Sequence, residues 1–204
     1  PRPTTVSGTK TYDGTTNVAS SNLTSFSNLA GSDTLSLSGT GTISNADVGT
    51  GKTVNTSGLT IDNSSGVGSN YTLSAATVNV TERVIGLSGV RAFDGTNNAS
   101  STDLSISNLV SGENLTLSGS GTVPNATVEM NKVITLGSLS ISDGSGGKSS
   151  NYTLTGGPHT LDISQLSVNV TGSRQYDGTK TVNSSDLNLT NLVSGETVSL
   201  TGAG

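Results

Sequence analysis

Leu35-Ser36-Leu37-Ser38-Gly39-Thr40-Gly41 alternates apolar with hydroxyl side chains and closes on two glycines. The same phrase returns at Leu115–Gly121 as Leu-Thr-Leu-Ser-Gly-Ser-Gly, and again over Val198–Gly204. Side chains at i and i+2 of a strand face one way, so each phrase buries Leu on one side and wets Ser or Thr on the other. Leu59-Thr60-Ile61, Leu139-Ser140-Ile141 and Thr77-Val78-Asn79-Val80 carry the same period of two. No stretch shows the 3.6-residue period of an amphipathic helix. The chain reads as all-β.

Further phrases recur in the same order. Tyr12-Asp13-Gly14-Thr15 returns as Phe93-Asp94-Gly95-Thr96 and Tyr176-Asp177-Gly178-Thr179, at spacings of 81 and 83 residues. Asn70-Tyr71-Thr72-Leu73 returns as Asn151-Tyr152-Thr153-Leu154, and Leu109-Val110-Ser111-Gly112-Glu113 as Leu192-Val193-Ser194-Gly195-Glu196. Self-similarity at a fixed period marks repeat architecture. Two full copies, 1–82 and 83–165, and a partial third, 166–204, follow from the frame. Strand pattern runs through Val80-Thr81-Glu82-Arg83 and Ile163-Ser164-Gln165-Leu166 with no Gly- or Pro-rich linker. Such ties predict tandem small β-sandwich modules in an elongated, stiff rod. The alternatives are β-grasp-like modules and a β-solenoid. The solenoid lacks the inner period of about 20 residues that its coils would need.

Composition removes several classes. Ser, Thr, Asn and Gly number 35, 32, 19 and 27 of 204 residues. Ser, Asn and Gly form helices poorly and Thr is β-branched, so strands and turns are favoured. Nine basic against fourteen acidic residues give a net charge of −5, which supplies no basic face for nucleic acid. No run of 18 apolar residues is present, so no helical membrane insertion is expected. The chain opens without a charged-then-apolar signal pattern, as an internal fragment or processed chain would. Without cysteine there is no disulfide, thiolate metal site or thiol nucleophile, and one histidine cannot serve two copies. The chain is expected not to be an enzyme.

These phrases together resemble the YDG repeat of bacterial surface adhesins, which is related to MBG modules. The likeness rests on a basic residue two before Tyr-Asp-Gly-Thr, then Leu-Ser-Gly-Thr-Gly-Thr. It continues through Asp47-Val48-Gly49-Thr50-Gly51-Lys52-Thr53-Val54 and Asn-Tyr-Thr-Leu. Copy 2 departs at Asn125–Lys132, where both glycines are lost, and at Phe93, where a hydroxyl cannot be essential. The resemblance implies stalk or spacer repeats of filamentous-haemagglutinin-like, two-partner-secreted proteins. These lie outside the cell, project an adhesive tip and support adhesion, aggregation or biofilm matrix. The implied partners are neighbouring repeats of the same chain, and extracellular polysaccharide or like molecules on other cells. Rival roles are a polysaccharide- or host-surface-binding module and a strand-exchanged filament subunit. A binding site should break the repeat, which happens at Asn125–Asn131 and Gly156–His159.

The candidate residues are structural. Tyr12, Phe93, Tyr176, Tyr71 and Tyr152 are expected as core anchors, one per motif, with Phe26 aligning with Ile106 and Leu189. Gly14, Gly95 and Gly178 are expected in the tight turns. Asp13, Asp94 and Asp177 can hydrogen-bond their own turn or ligate Ca²⁺. The turn role is preferred, because Ca²⁺ gathers several carboxylates and no Asp-x-Asp cluster accompanies them. No cofactor is otherwise expected. Lys10, Arg91 and Arg174 are expected to lay their stems beside the ring with the charge at the surface, near a carboxylate. An isopeptide bond there fails because arginine cannot form one. Twelve Asn-x-Ser/Thr sites, among them Asn70, Asn125 and Asn151, are glycan acceptors by signature alone. His159, in Gly156-Gly157-Pro158-His159, is expected at a loop tip.

Overall fold

The computed structural model describes every residue except Ala203. Copy 1 supplies β1 (Arg2–Thr11), β2 (Asn17–Ala19), β3 (Leu23–Ser27), β4 (Leu35–Thr42), β5 (Gly49–Thr53), β6 (Leu59–Asn63) and β7 (Tyr71–Thr81). Copy 2 supplies β8 (Arg83–Val84), β9 (Gly86–Ala92), β10 (Asn98–Ser100), β11 (Leu104–Ser107), β12 (Leu115–Ser118) and β13 (Ser120–Thr122). It continues with β14 (Glu129–Val133), β15 (Ser140–Asp143), β16 (Tyr152–Thr153) and β17 (His159–Ser164). Copy 3 adds β18 (Asn169–Gly172) and β19 (Leu187–Thr190). Among the described residues the only helical pieces are three-residue 3-10 turns, such as Ser20–Asn22 and Ser149–Asn151.

Among the described residues the strands form several small sheets and no closed barrel, the architecture of small β-sandwich-like modules. In copy 1 a four-stranded sheet runs β3-β1-β7-β5 and a three-stranded sheet runs β2-β4-β6. The first and last long strands, β1 and β7, lie side by side and parallel, so the other strands make the crossover between them. Alternation along β1 buries Thr4, Val6 and Lys10. On β7 the buried set shifts phase, from Tyr71 to Ala76, Val78 and Val80. A bulge makes the shift: Thr4 pairs with Leu73 and Thr5 with Ala75, leaving Ser74 over.

Copy 2 repeats the plan with two of its long strands broken, the counterpart of β4 into β12 and β13 and that of β7 into β16 and β17. Its four-stranded sheet runs β11-β9-β17-β14, with β9 and β17 again parallel. The bulge has grown into Thr155–Pro158, which splits the last strand into β16 and β17. His159 therefore opens β17, buried and in register with Leu87, and is not at a loop tip. In copy 3, among the described residues, β18 pairs only with β19 and the phrase Val198–Gly204 forms no strand.

One repeated corner depends on glycine. Gly8, Gly89 and Gly172 pass so close to a 3-10 turn that a Cβ would stand 1.7, 1.8 and 2.1 Å from the carbonyl oxygens of Asn22, Asp103 and Asp186. Another corner uses asparagine. Asn28, Asn108 and Asn191 adopt φ of 60–66°, and their Nδ2 groups donate to the carbonyls of Pro3, Val84 and Ser167. Asparagine tolerates this left-handed backbone better than other side chains that carry a Cβ.

The chain divides into two compact units. The first comprises Pro1–Gly86, Ile106–Leu117 and Ser140–Gly157; the second comprises Leu87–Ser105, Ser118–Leu139 and Pro158–Gly204. The first unit thus joins copy 1 to two segments of copy 2.

Candidate functional site

The Tyr-Asp-Gly-Thr turn is built around a cation. Lys10 is 4 % exposed. Its Nζ donates to Asp13 Oδ1 at 2.8 Å, to the Thr15 carbonyl at 3.0 Å and to the Asn17 carbonyl at 2.7 Å. Asp13 Oδ1 also accepts from the Thr15 amide and hydroxyl at 2.9 and 3.0 Å. Arg91 with Asp94 and Thr96, and Arg174 with Asp177 and Thr179, repeat the arrangement. The expectation of a surface charge on a stem beside the ring is corrected: the Lys10 and Arg91 side chains are only 3 % and 8 % exposed, because their heads fill the turn. The tethered ammonium binds the carbonyl and carboxylate oxygens that a bound cation would otherwise gather. Lys52 does the same for the loop after β4, donating to the Asn45 and Asp47 carbonyls. Lys132 does so in copy 2, donating to Asn125 Oδ1, Thr127 Oγ1 and Glu129 Oε2. The irregular stretch Asn125–Asn131, a loop that runs into β14, is therefore latched from within. Lys10→Met should cost about 1–3 kcal/mol, the penalty for stranding part-buried acceptors, read as a lower denaturant midpoint.

The first unit holds a second cluster that joins copy 1 to copy 2. Glu113 stands on the loop after β11. Its Oε1 accepts from the Tyr12 hydroxyl at 2.5 Å and its Oε2 from the Tyr152 hydroxyl at 2.8 Å. The Tyr152 oxygen in turn accepts from the Val110 amide at 3.1 Å. The two rings meet edge to face, with centroids 5.4 Å apart. Gly14 brings the turn onto the same loop: at φ +74°, its Cβ would stand 2.7 Å from Val110 Cγ1. Beside this, Asn151 is 1 % exposed. Its Nδ2 donates to Asp47 Oδ1 at 3.0 Å and its Oδ1 accepts from the Val48 amide at 2.9 Å. Lys148 pairs with Asp47 Oδ2 at 2.7 Å. Asn151 has no room for a glycan.

Electrostatics follow from these contacts. Burial, then the Glu113 hydrogen bond, pushes the Tyr12 phenol well above the ordinary tyrosine range, and burial raises Tyr152. Hydrogen bonds from Asn151 and Lys148 hold the Asp47 carboxyl below the usual range. At Asp13 burial acts upward, but the hydrogen bonds from Lys10 and Thr15 outweigh it and the net shift is downward. Each lowered carboxyl adds stability above the unfolded-state value of about 4 that is lost as pH falls through its folded value. Each raised phenol adds stability below the unfolded-state value of about 10 that is lost as pH rises beyond it. A melting-temperature profile should be flat between these limits and fall on both sides. Asp47→Asn should flatten the acid limb, and Tyr12→Phe the alkaline one.

The anchors differ in depth. Tyr12, Tyr71 and Tyr152 are buried. Phe93 and Phe26 are half-buried, and Tyr176 is corrected from core anchor to surface residue at 94 % exposure. In the second unit Gly95 takes the role of Gly14, at φ +78° with its Cβ site 2.8 Å from Val193 Cγ1. Phe93 cannot make the hydrogen bond that Tyr12 makes. The joining roles of Glu113, Asp47, Lys148 and Asn151 were not read from the sequence. The available signal was internal: an acid stands at Glu113 and Glu196 although only fourteen acids exist.

The YDG domain matches residues 1–79 and 81–161. The chain belongs to the YDG domain family. No curated protein and no solved structure matches it. Among the described residues no three His, Asp or Glu side chains are grouped to hold a metal ion, and no helix is long and apolar enough to cross a membrane. In this YDG chain the motif's own residues are therefore occupied in holding turns and joining copies, with the Tyr12–Glu113–Tyr152 cluster as the joint.

Proposed function

We propose that the chain is a run of structural modules, framed 1–82, 83–165 and 166–204, from a secreted bacterial surface adhesin or biofilm-matrix protein. Its task is to space an adhesive part from the cell. The role needs copies that hold one another rather than hang as beads. The observation that carries this reading is the Glu113 carboxylate, which takes the phenols of Tyr12 and Tyr152 from two copies at once. The small polar surface supports it: Ser, Thr and Asn stay hydrated without charge. The motif aromatics support it too. Four of the five are wholly or partly buried, so Tyr176 is the one motif aromatic left exposed, and a single ring makes no stacking platform for sugar. Membership of the YDG family agrees with an extracellular setting. Calorimetric titration with bacterial and host polysaccharides tests the reading. No saturable heat is expected, and saturable binding would favour the polysaccharide-binding role instead.

A further inference from the structure

The outer face of the second unit's four-stranded sheet departs from its counterpart in copy 1. There copy 1 carries Thr9, Thr11, Thr50 and Thr53, all exposed, around Asn79. Copy 2 replaces the threonines, in the same order, with Val90, Ala92, Met130 and Val133, and replaces Asn79 with Asp162. Val90, Met130 and Val133 are 63 %, 72 % and 67 % exposed. Threonine serves the same strands in copy 1, so folding does not call for apolar side chains here. The copy 1 face is exposed although a further copy follows it, so the packing of successive copies leaves this face open. Met130 also falls in the stretch where copy 2 breaks the repeat.

The register sets the carboxylate in the middle. Asp162 pairs with Val90 on one side, and on the other it faces the β14 bulge that holds Met130 and Asn131. Val133 lies one row away opposite Thr160, and Ala92 one row the other way opposite Ser164. Asp162 Oδ1 accepts from the Asn131 amide at 2.6 Å. Among the described residues no hydrogen bond reaches its Oδ2. The nearby cations are turned inward: Lys132 is spent on Asn125, Thr127 and Glu129, and Arg91 on its own turn.

We infer that this face docks a segment of a partner protein in which a Lys or Arg stands between apolar side chains. The cation reaches Asp162, and its apolar neighbours cover Val90 and Met130 on either side. Charge selects this occupant over a second copy of the chain. A second copy would bring two such carboxylates together, in molecules that each carry a net charge of −5. The docking is additional to the spacer role, which leaves this face unused.

Amide NMR shifts of the whole isotope-labelled chain, titrated with the end-capped peptide Ser-Leu-Leu-Lys-Leu-Leu-Ser, test it. Up to about 1 mM peptide, saturable shifts are expected at Val90, Met130, Val133 and Asp162, and none at Thr9, Thr50, Thr53 and Asn79. The same peptide with Glu in place of Lys should not bind. Asp162→Asn should weaken binding at least about tenfold, through loss of a hydrogen bond between charged groups. That variant keeps its fold, because Asn79 Oδ1 accepts from the Gly51 amide at 2.7 Å just as Asp162 accepts from Asn131. Val90→Thr, Ala92→Thr, Met130→Thr and Val133→Thr together install the residues of copy 1. They should abolish saturation and leave the melting temperature unchanged. The inference is overturned by a wild-type chain without saturable shifts, by equal binding of the Glu peptide, or by binding that survives either variant undiminished. It is also overturned if the same amides shift with chain concentration alone, which would give the face to a second copy.

Discussion

Gly8→Ala should destabilise the first unit by about 3 kcal/mol, the upper end of what overpacking a closed site costs. The added methyl carbon would stand 1.7 Å from the Asn22 carbonyl oxygen, 2.7 Å from its carbon and 2.9 Å from Leu23 Cα. All three are backbone atoms, so no side chain can swing aside. The strand would have to leave β3 at the point where its register already shifts between Ser7 and Gly8. Gly49→Ala is the control: it sits in the same sheet, and its Cβ would meet only the Lys52 side chain, at 3.6 Å. Equilibrium urea unfolding should show a much lower midpoint for Gly8→Ala and little change for Gly49→Ala. Equal midpoints would mean that the close approach is not maintained in solution.

Glu113→Ala should cost about 3 kcal/mol, because hydrogen bonds to a charged group contribute about 1.5–3 kcal/mol and two phenols lose theirs together. The Tyr12 and Tyr152 rings are 5 % and 3 % exposed, so water cannot easily replace the carboxylate. The corresponding change at Glu196, exposed in copy 3, should be far milder, since Phe93 brings no hydroxyl to it. Thermal melts of the two variants give the comparison. A Glu113→Ala chain as stable as wild type would remove the cluster from the account.

The two effects differ in how far the sequence reveals them. Period-two alternation at Leu35-Ser36-Leu37 and Leu115-Thr116-Leu117 marks strands because one face must be apolar, and both form. The Asp-Gly turns were equally legible, since an Asp carboxylate two residues before an amide closes a turn locally. Gly8 was not legible as a close contact: a glycine in a strand names no partner 14 residues away. The parallel pairing of β1 with β7 was hidden for the same reason. Lys10 reads as a surface cation until the fold folds Thr15 and Asn17 back over it. Glu113 lies 101 residues from Tyr12, and only the three-dimensional joining of two copies gives it a role.

A double-mutant cycle between Tyr12→Phe and Glu113→Ala measures the joint most directly. Each single change and the pair are unfolded in denaturant under the same conditions. If the hydroxyl and the carboxylate hold copy 1 to copy 2, the pair should cost about 1–2 kcal/mol less than the two singles added together. Costs that simply add, within about 0.3 kcal/mol, would show that the two residues do not interact and that this carboxylate does not join the copies.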